Sequence, residues 1–211
     1  MSVTVGVIDY GSGNFASVWN ALKYLNVSLV RVQEPSDLAS ATHLVLPGVG
    51  TFGAAMDCLD RMVVIEAIRE RVLGDEVPFL GICVGMQLLA TIGREFGDHV
   101  GLGLVPGVVD TLSVGDKGLN LPHIGWSEST IMRESPLLAG LGDNPSFYYL
   151  HSYAMRVDDD SDVILSCDYG HPFVAAVQRG NIFGVQFHPE KSQKHGLRLL
   201  RNFAQLDRQS P

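Results

Sequence analysis

Cys83 stands between two glycines, in Gly81-Ile-Cys83-Val-Gly85, where an apolar run gives way to a helix-like segment. This is the cysteine counterpart of the G-x-S-x-G nucleophile elbow, whose flanking glycines relieve the crowding of a sharp strand-to-helix turn. Such a turn raises the thiol above a sheet. It also aims the next N–H, that of Val84, at any oxyanion formed by attack on a carbonyl. The N-terminus of the following helix favours a thiolate. A thiol nucleophile needs a base, and the base needs an orienting group. Phe187-His188-Pro189-Glu190 offers both. Residues two apart in extended chain project to one side, so Glu190 can hold the imidazole of His188 while its other nitrogen meets Cys83. A second oxyanion donor is expected from the backbone of Leu46-Pro47-Gly48-Val49-Gly50, at the end of another strand. Each motif alone also has a plain structural reading: a buried core thiol, a solvated turn, an ordinary strand-ending bend.

A competing motif lies near the start. Gly11-Ser-Gly13-Asn-Phe-Ala16 fits the dinucleotide pattern G-x-G-x-x-G/A between a strand and a helix, and Glu34 lies where a ribose-holding acid would be. That reading gives a nicotinamide or flavin enzyme; the alternative is a glycine-rich turn needed only for backbone room. The histidines at 43, 99, 123, 151, 171 and 195 lack a comparable carboxylate two residues away in extended chain, and no His, Cys and acid set has metal-ligand spacing. Cys58 and Cys167 sit among apolar neighbours and read as core.

The elements that must position these residues come from the apolar pattern. Residues 3–9, 28–32, 43–46 and 77–82 read as strands, the third cut off by Pro47-Gly48. Helices are expected around Val18, Leu22 and Leu25, after Pro35 with Ser36 as N-cap, around Ile65, Ile68 and Val72, and from Met86 to Ala90. Strands this apolar are buried on both faces, as in a parallel sheet between helices. Beyond about residue 100 strand-like pieces follow one another: 104–112, 147–157, 163–167 and a hairpin around Arg179-Gly180-Asn181. A closing helix places Leu199, Phe203 and Leu206 on one side. The expectation is one α/β domain: an open, mostly parallel sheet flanked by helices, with an added antiparallel portion.

Composition narrows the partners. The 211 residues carry 23 Asp+Glu against 15 Lys+Arg, a formal charge of −8, with no basic run to offset it, so binding to nucleic acid is not expected. At 46% apolar and 18% charged the chain is globular in character. The opening from Met1 to Asp9 lacks the pattern of a signal peptide, and no 18 apolar residues run together to offer a membrane span. Three widely spaced cysteines suit a reducing compartment, so the expected address is the cytoplasm.

Taken together, Gly81-Ile-Cys83-Val-Gly85-Met-Gln87 and Val185-Gln-Phe-His188-Pro-Glu190 resemble the class I, or triad, glutamine amidotransferases. The resemblance spans almost the whole chain and implies a single glutamine amidotransferase domain over residues 1–211. Ile8-Asp-Tyr-Gly-Ser-Gly-Asn14, Leu46-Pro-Gly-Val-Gly50, Pro122-His-Ile-Gly-Trp126, Tyr149-Leu-His-Ser-Tyr153 and Phe187-His-Pro-Glu-Lys-Ser192 look like the glutaminase subunits of imidazole glycerol phosphate synthases. It implies a flavodoxin-like fold and a triad of Cys83, His188 and Glu190 that hydrolyses glutamine through a glutamyl thioester. The implied oxyanion donors are the backbone N–H groups of Val49 and Val84. Gly50, Gln87, Glu95, Ser152 and Tyr153 would line the glutamine pocket, Glu95 pairing with the α-ammonium. Asn14, Tyr148 and Lys191 would face a partner, a (β/α)8 cyclase subunit forming a heterodimer and receiving the ammonia for histidine biosynthesis. No metal and no redox cofactor is implied. The sequence departs from the family pattern at Val84, where Leu is usual, at Ser127, where Asn is common, and in the Arg-Glu-Phe-Gly stretch around Glu95. Two other outcomes remain open: a paralogue feeding ammonia to a different acceptor, such as a surface sugar, and a non-catalytic regulatory subunit.

Overall fold

Four apolar segments at the N-terminal side become the strands that carry the elbow. In the computed structural model, which describes residues 3–115 and 119–207, β1 (Thr4–Ile8) is followed by helix α1 (Phe15–Tyr24), β2 (Ser28–Val32) and β3 (His43–Gly48). Residues 1–2 of the opening segment lie outside the described residues. Helices α2 (Phe52–Arg61) and α3 (Ile65–Arg69) then precede β4 (Phe79–Cys83), which runs straight into a one-turn helix, α4 (Val84–Gln87). Short strands β5 (Ile92–Gly93) and β6 (His99–Val100) lead to β7 (Gly107–Thr111), β8 (His123–Ile131), β9 (Ser146–His151) and β10 (Tyr153–Val157). The chain ends with β11 (Val163–Tyr169), β12 (His171–Arg179), β13 (Ile182–Val185) and helix α5 (Gln193–Ala204).

Nine of these strands form one sheet in the order β2-β1-β3-β4-β13-β12-β11-β8-β9. From β2 to β13 every pairing is parallel, and from β13 to β9 every pairing is antiparallel. This is the expected open α/β sheet with its antiparallel addition. A second sheet, β10-β7-β5-β6, stands apart from it. Every residue of β3 and β4 is buried, the signature of strands covered on both faces. The helices supply the cover: Val18 and Leu22 of α1, Leu59 of α2 and Leu199, Leu200 and Phe203 of α5 are buried. Among the described residues no helix is long and apolar enough to cross a membrane.

Several elements differ from expectation for physical reasons. Strand β3 continues through Pro47 and Gly48, which pair with Ile82 and Cys83. Its pairing with β1 ends at Val45, so Pro47 sits where one edge is already free of a neighbour. The helix after the elbow stops at Gln87 instead of starting at Met86 and running on. The carbonyls of Leu88, Leu89 and Ala90 are captured by the N–H groups of Leu102 to Val105, so the chain turns away to feed the second sheet. Segment 147–157 breaks at Ser152, and its two parts join different sheets. The turn after Pro35 begins from Glu34, not Ser36: Asp37 accepts from the Glu34 N–H at 3.0 Å, and Ser36 donates to the Glu34 carboxylate at 2.5 Å. Helix α2 and strand β8 were not expected at all.

Candidate active site

The elbow is made by steric necessity. Cys83 ends β4 with φ +55° and ψ −111°, a conformation costly for any residue but glycine and held only where the surroundings dictate it. A Cβ at Gly85 would overlap the Leu46 carbonyl oxygen, and one at Gly81 would overlap the carbonyl of Gly85. Larger residues would therefore force β3 away from the turn. The helix start that follows is a single turn, so its contribution to anion stabilisation is smaller than a full helix would give.

His188 lies just beyond β13 and is wholly buried; its backbone N–H donates to Tyr148 O at 2.9 Å. Its Nδ1 meets Glu190 Oε1 at 2.8 Å. The two are not in extended chain, because Pro189–Lys191 forms a 3-10 turn, yet that turn brings the same side chains together. With Nδ1 donating to Glu190, Nε2 has no nitrogen or oxygen partner among the described residues and is left to the Cys83 thiol or a leaving group. Burial alone would lower the pKa of His188, but Cys83 and Glu190 together outweigh it and push it up to about 9. The Glu190 side chain has no exposed surface, and Asn14 Nδ2 donates to the same Oε1 at 3.3 Å.

Asn14, expected to face a partner, is 3% exposed in the chain alone and its side-chain amide holds the Glu190 carboxylate of the triad. The glycine loop before it is similarly occupied. Gly11 N–H donates to Asp9, Ser12 donates to Asn14 Oδ1, and Asp9 pairs with Arg31. Glu34 holds its own turn, so the dinucleotide reading loses both its loop and its acid.

A cavity of about 520 Å³ opens over the thiol, lined by Val49, Gly50, Cys83, Val84, Gln87, Glu95, Ser152, Tyr153 and His188. The expected oxyanion and pocket residues thus gather around one space with the nucleophile and base. A larger cleft, about 800 Å³ near Asp110, Arg156 and Phe173, contains none of the triad and is set aside for that reason. Glu95 Oε2 accepts the N–H of Phe52 at 2.8 Å, which ties its carboxylate to the first residue of α2. Gln87 is buried and donates to Tyr153 O at 3.0 Å and Gln186 Oε1 at 3.2 Å, holding the cavity wall.

Beside the cavity, Lys191 Nζ lies 5.8 Å above the ring of Tyr148, and Tyr148 meets Trp126 edge-on at 6.2 Å. Ile124 and Leu150 pair across β8 and β9 next to Trp126 and Tyr148. Exposures of 58% for Ile124, 49% for Trp126 and 37% for Leu150 leave an apolar strip at the rim. Sequence reasoning missed Gln186, His123 and His151, all buried near the site. A polar residue within an apolar strand end was the available signal for Gln186.

The class-I glutamine amidotransferase family model matches residues 6–206. The chain is 45% identical over 204 residues to a protein of Leptospira interrogans named imidazole glycerol phosphate synthase subunit HisH, covering 96% of this chain and all of that one. It is 44% identical over 201 residues to an Arabidopsis thaliana protein named imidazole glycerol phosphate synthase hisHF, chloroplastic, covering 94% of this chain and 33% of that one. A solved structure described as PurLQS from Thermotoga maritima superposes with a TM-score of 0.76 at 20% identity, covering 96% of this chain and 98% of the matched one, which supports the fold.

Proposed function

The chain belongs to the class-I glutamine amidotransferases, and from that premise we propose that it is the glutaminase of an imidazole glycerol phosphate synthase. Cys83 attacks the side-chain carboxamide of glutamine. The oxyanion is bound by the N–H groups of Val84 and Val49. His188, kept in the right tautomer by Glu190, gives its proton to the departing ammonia. A glutamyl thioester remains on Cys83. His188 then takes a proton from water, which attacks the thioester carbonyl and releases glutamate and the thiol. Glu95, beside the cavity, takes the α-ammonium, and Gly50, Gln87, Ser152 and Tyr153 shape the pocket.

Ammonia is useful only if it reaches an acceptor before escaping. It passes to a (β/α)8 cyclase subunit in a heterodimer, which forms imidazole glycerol phosphate and AICAR for histidine biosynthesis in the cytoplasm. What supports a docked partner is the exposed strip of Ile124, Trp126 and Leu150, with Lys191 and half-buried Tyr148 beside it. The length of the Arabidopsis relative agrees, since this chain matches only a third of it. Residues 1–211 act as a single glutamine amidotransferase domain.

The observation that carries the reading is the buried His188–Glu190 bond beside a strained cysteine elbow. A glutamine-mimicking electrophile should label Cys83 and spare Cys58 and Cys167, and Cys83→Ala should release no glutamate. Labelling at Cys58 with activity retained in Cys83→Ala would overturn it.

A further inference from the structure

One side chain that the mechanism leaves unused touches the nucleophile. Gln186, wholly buried just after β13, directs Nε2 at Cys83 Sγ at 3.8 Å. We propose that Gln186 is a positioning residue whose amide N–H holds the sulfur of Cys83 for attack and stabilises its anion. The inference rests on Cys83 being the nucleophile.

The orientation of this amide is fixed through Gln87, whose nitrogen must face the Tyr153 carbonyl; two histidines share that carbonyl's surroundings. His151 Nδ1 faces the Tyr153 carbonyl at 2.9 Å, and a carbonyl can only accept, so Nδ1 carries the hydrogen. Burial pushes the pKa of His151 down to about 3 and that of His123 down to about 4, so both rings are neutral. His151 Nε2 therefore accepts, and His123 Nδ1, 3.1 Å away, donates to it. His123 Nε2 then accepts from the Ser127 hydroxyl at 2.9 Å. From the other side Gln87 Nε2 donates to the same Tyr153 carbonyl and to Gln186 Oε1. With its oxygen so engaged, Gln186 has its N–H groups left for the sulfur. Turning the amide over would set its nitrogen against the Gln87 donor and its oxygen against the thiolate.

The thiol itself points at Leu150 O, 3.9 Å away. That acceptor helps only the neutral thiol. Once the proton leaves, the Gln186 N–H becomes a charge-assisted bond, stronger than before. The other ionisable groups around the sulfur are His188 with Glu190 behind it, Tyr10 two residues beyond β1, His151 of β9 and Glu95 across the cavity. They stay in place when Gln186 is replaced, so a change in thiol reactivity reports the amide.

The test is the rate of Cys83 alkylation by iodoacetamide between pH 5 and 10, resolved by peptide mass so that Cys58 and Cys167 are counted separately. Gln186→Met and Gln186→Leu both remove the donor at similar volume without adding a charge; melting temperature identifies which variants fold. We expect alkylation at pH 7 to fall by roughly tenfold and the midpoint to move to higher pH, the size of a hydrogen bond to a charged group. A folded variant with the parent's rate and midpoint overturns the role of Gln186. Loss of the glutaminase reading would look different: Cys83→Ala would remain active.

Discussion

The parallel half of the large sheet and its antiparallel half face solvent differently. In β3 and β4 no residue is exposed, and their ends crowd so closely that a Cβ at Gly48 would lie 2.6 Å from Gly85 N and 2.8 Å from Tyr10 Oη. Strand β8, in contrast, alternates buried and open positions, and its outward face carries Ile124 and Trp126. Chemistry that needs one rigid geometry and little water sits where the sheet has no wet face. A surface for another protein grows where one face stays free. His188 joins the two halves: it follows a strand of the parallel set and donates its backbone N–H to Tyr148 on the outer hairpin.

The largest effects are expected on the buried side. Replacing Glu190 by Gln keeps the shape but removes the charge that orients His188, and turnover should fall by roughly 10⁴ with the fold intact. His188→Asn should be at least as damaging. Steady-state kinetics with circular dichroism checks both, and near-normal turnover in Glu190→Gln would mean that something else holds the imidazole. On the open side the expected effect is smaller and of another kind. Trp126→Ala should weaken binding of a cyclase subunit by about 10- to 100-fold, as for a central aromatic anchor, while the chain alone releases glutamate at its usual rate. Titration calorimetry reads the first and glutamate release the second; unchanged binding would remove the strip from the interface.

The smallest effect is on stability, and its sign differs between the histidines. His188 has a folded pKa raised to about 9, so its contribution is complete below about pH 6.5 and is lost as pH rises through 9. His123 and His151 have theirs lowered to about 4 and about 3, so their contribution is complete above about pH 6.5 and is lost as pH falls through those values. Melting temperature should decline on both sides of neutrality. His188→Asn should flatten the alkaline side alone, and an unchanged alkaline slope in that variant would contradict the assignment.

The two halves also differed in how far the sequence announced them. Gly81 and Gly85 were readable because the turn leaves no room for a Cβ at either and so marks Cys83 between them, and His188 with Glu190 because their spacing survives either extended chain or a 3-10 turn. Strands β1, β3 and β4 were readable from apolar runs, and β2 from a β-branched stretch interrupted by Arg31. Helix α2 was not, since Gly53, Asp57 and Asp60 dilute its buried positions Phe52, Ala55 and Leu59. The early end of α4 depends on backbone groups near residue 103, and the break at Ser152 on a choice between two sheets; neither is a local property. The burial of Asn14 and the reach of Gln186 to Cys83 are likewise contacts between distant segments.

The link between the halves is tested by glutamate release from the chain alone, with a cyclase subunit, and with that subunit carrying its acceptor ligand. Gly48 and Gly50 flank Val49 and give its peptide freedom to turn, and a missing oxyanion donor is worth roughly 10²–10³ in rate. We expect slow release from the isolated chain and a rise by about that factor when the ligand-bound partner selects the conformation with the Val49 N–H inward. Full activity of the isolated chain, unchanged by either addition, would contradict it.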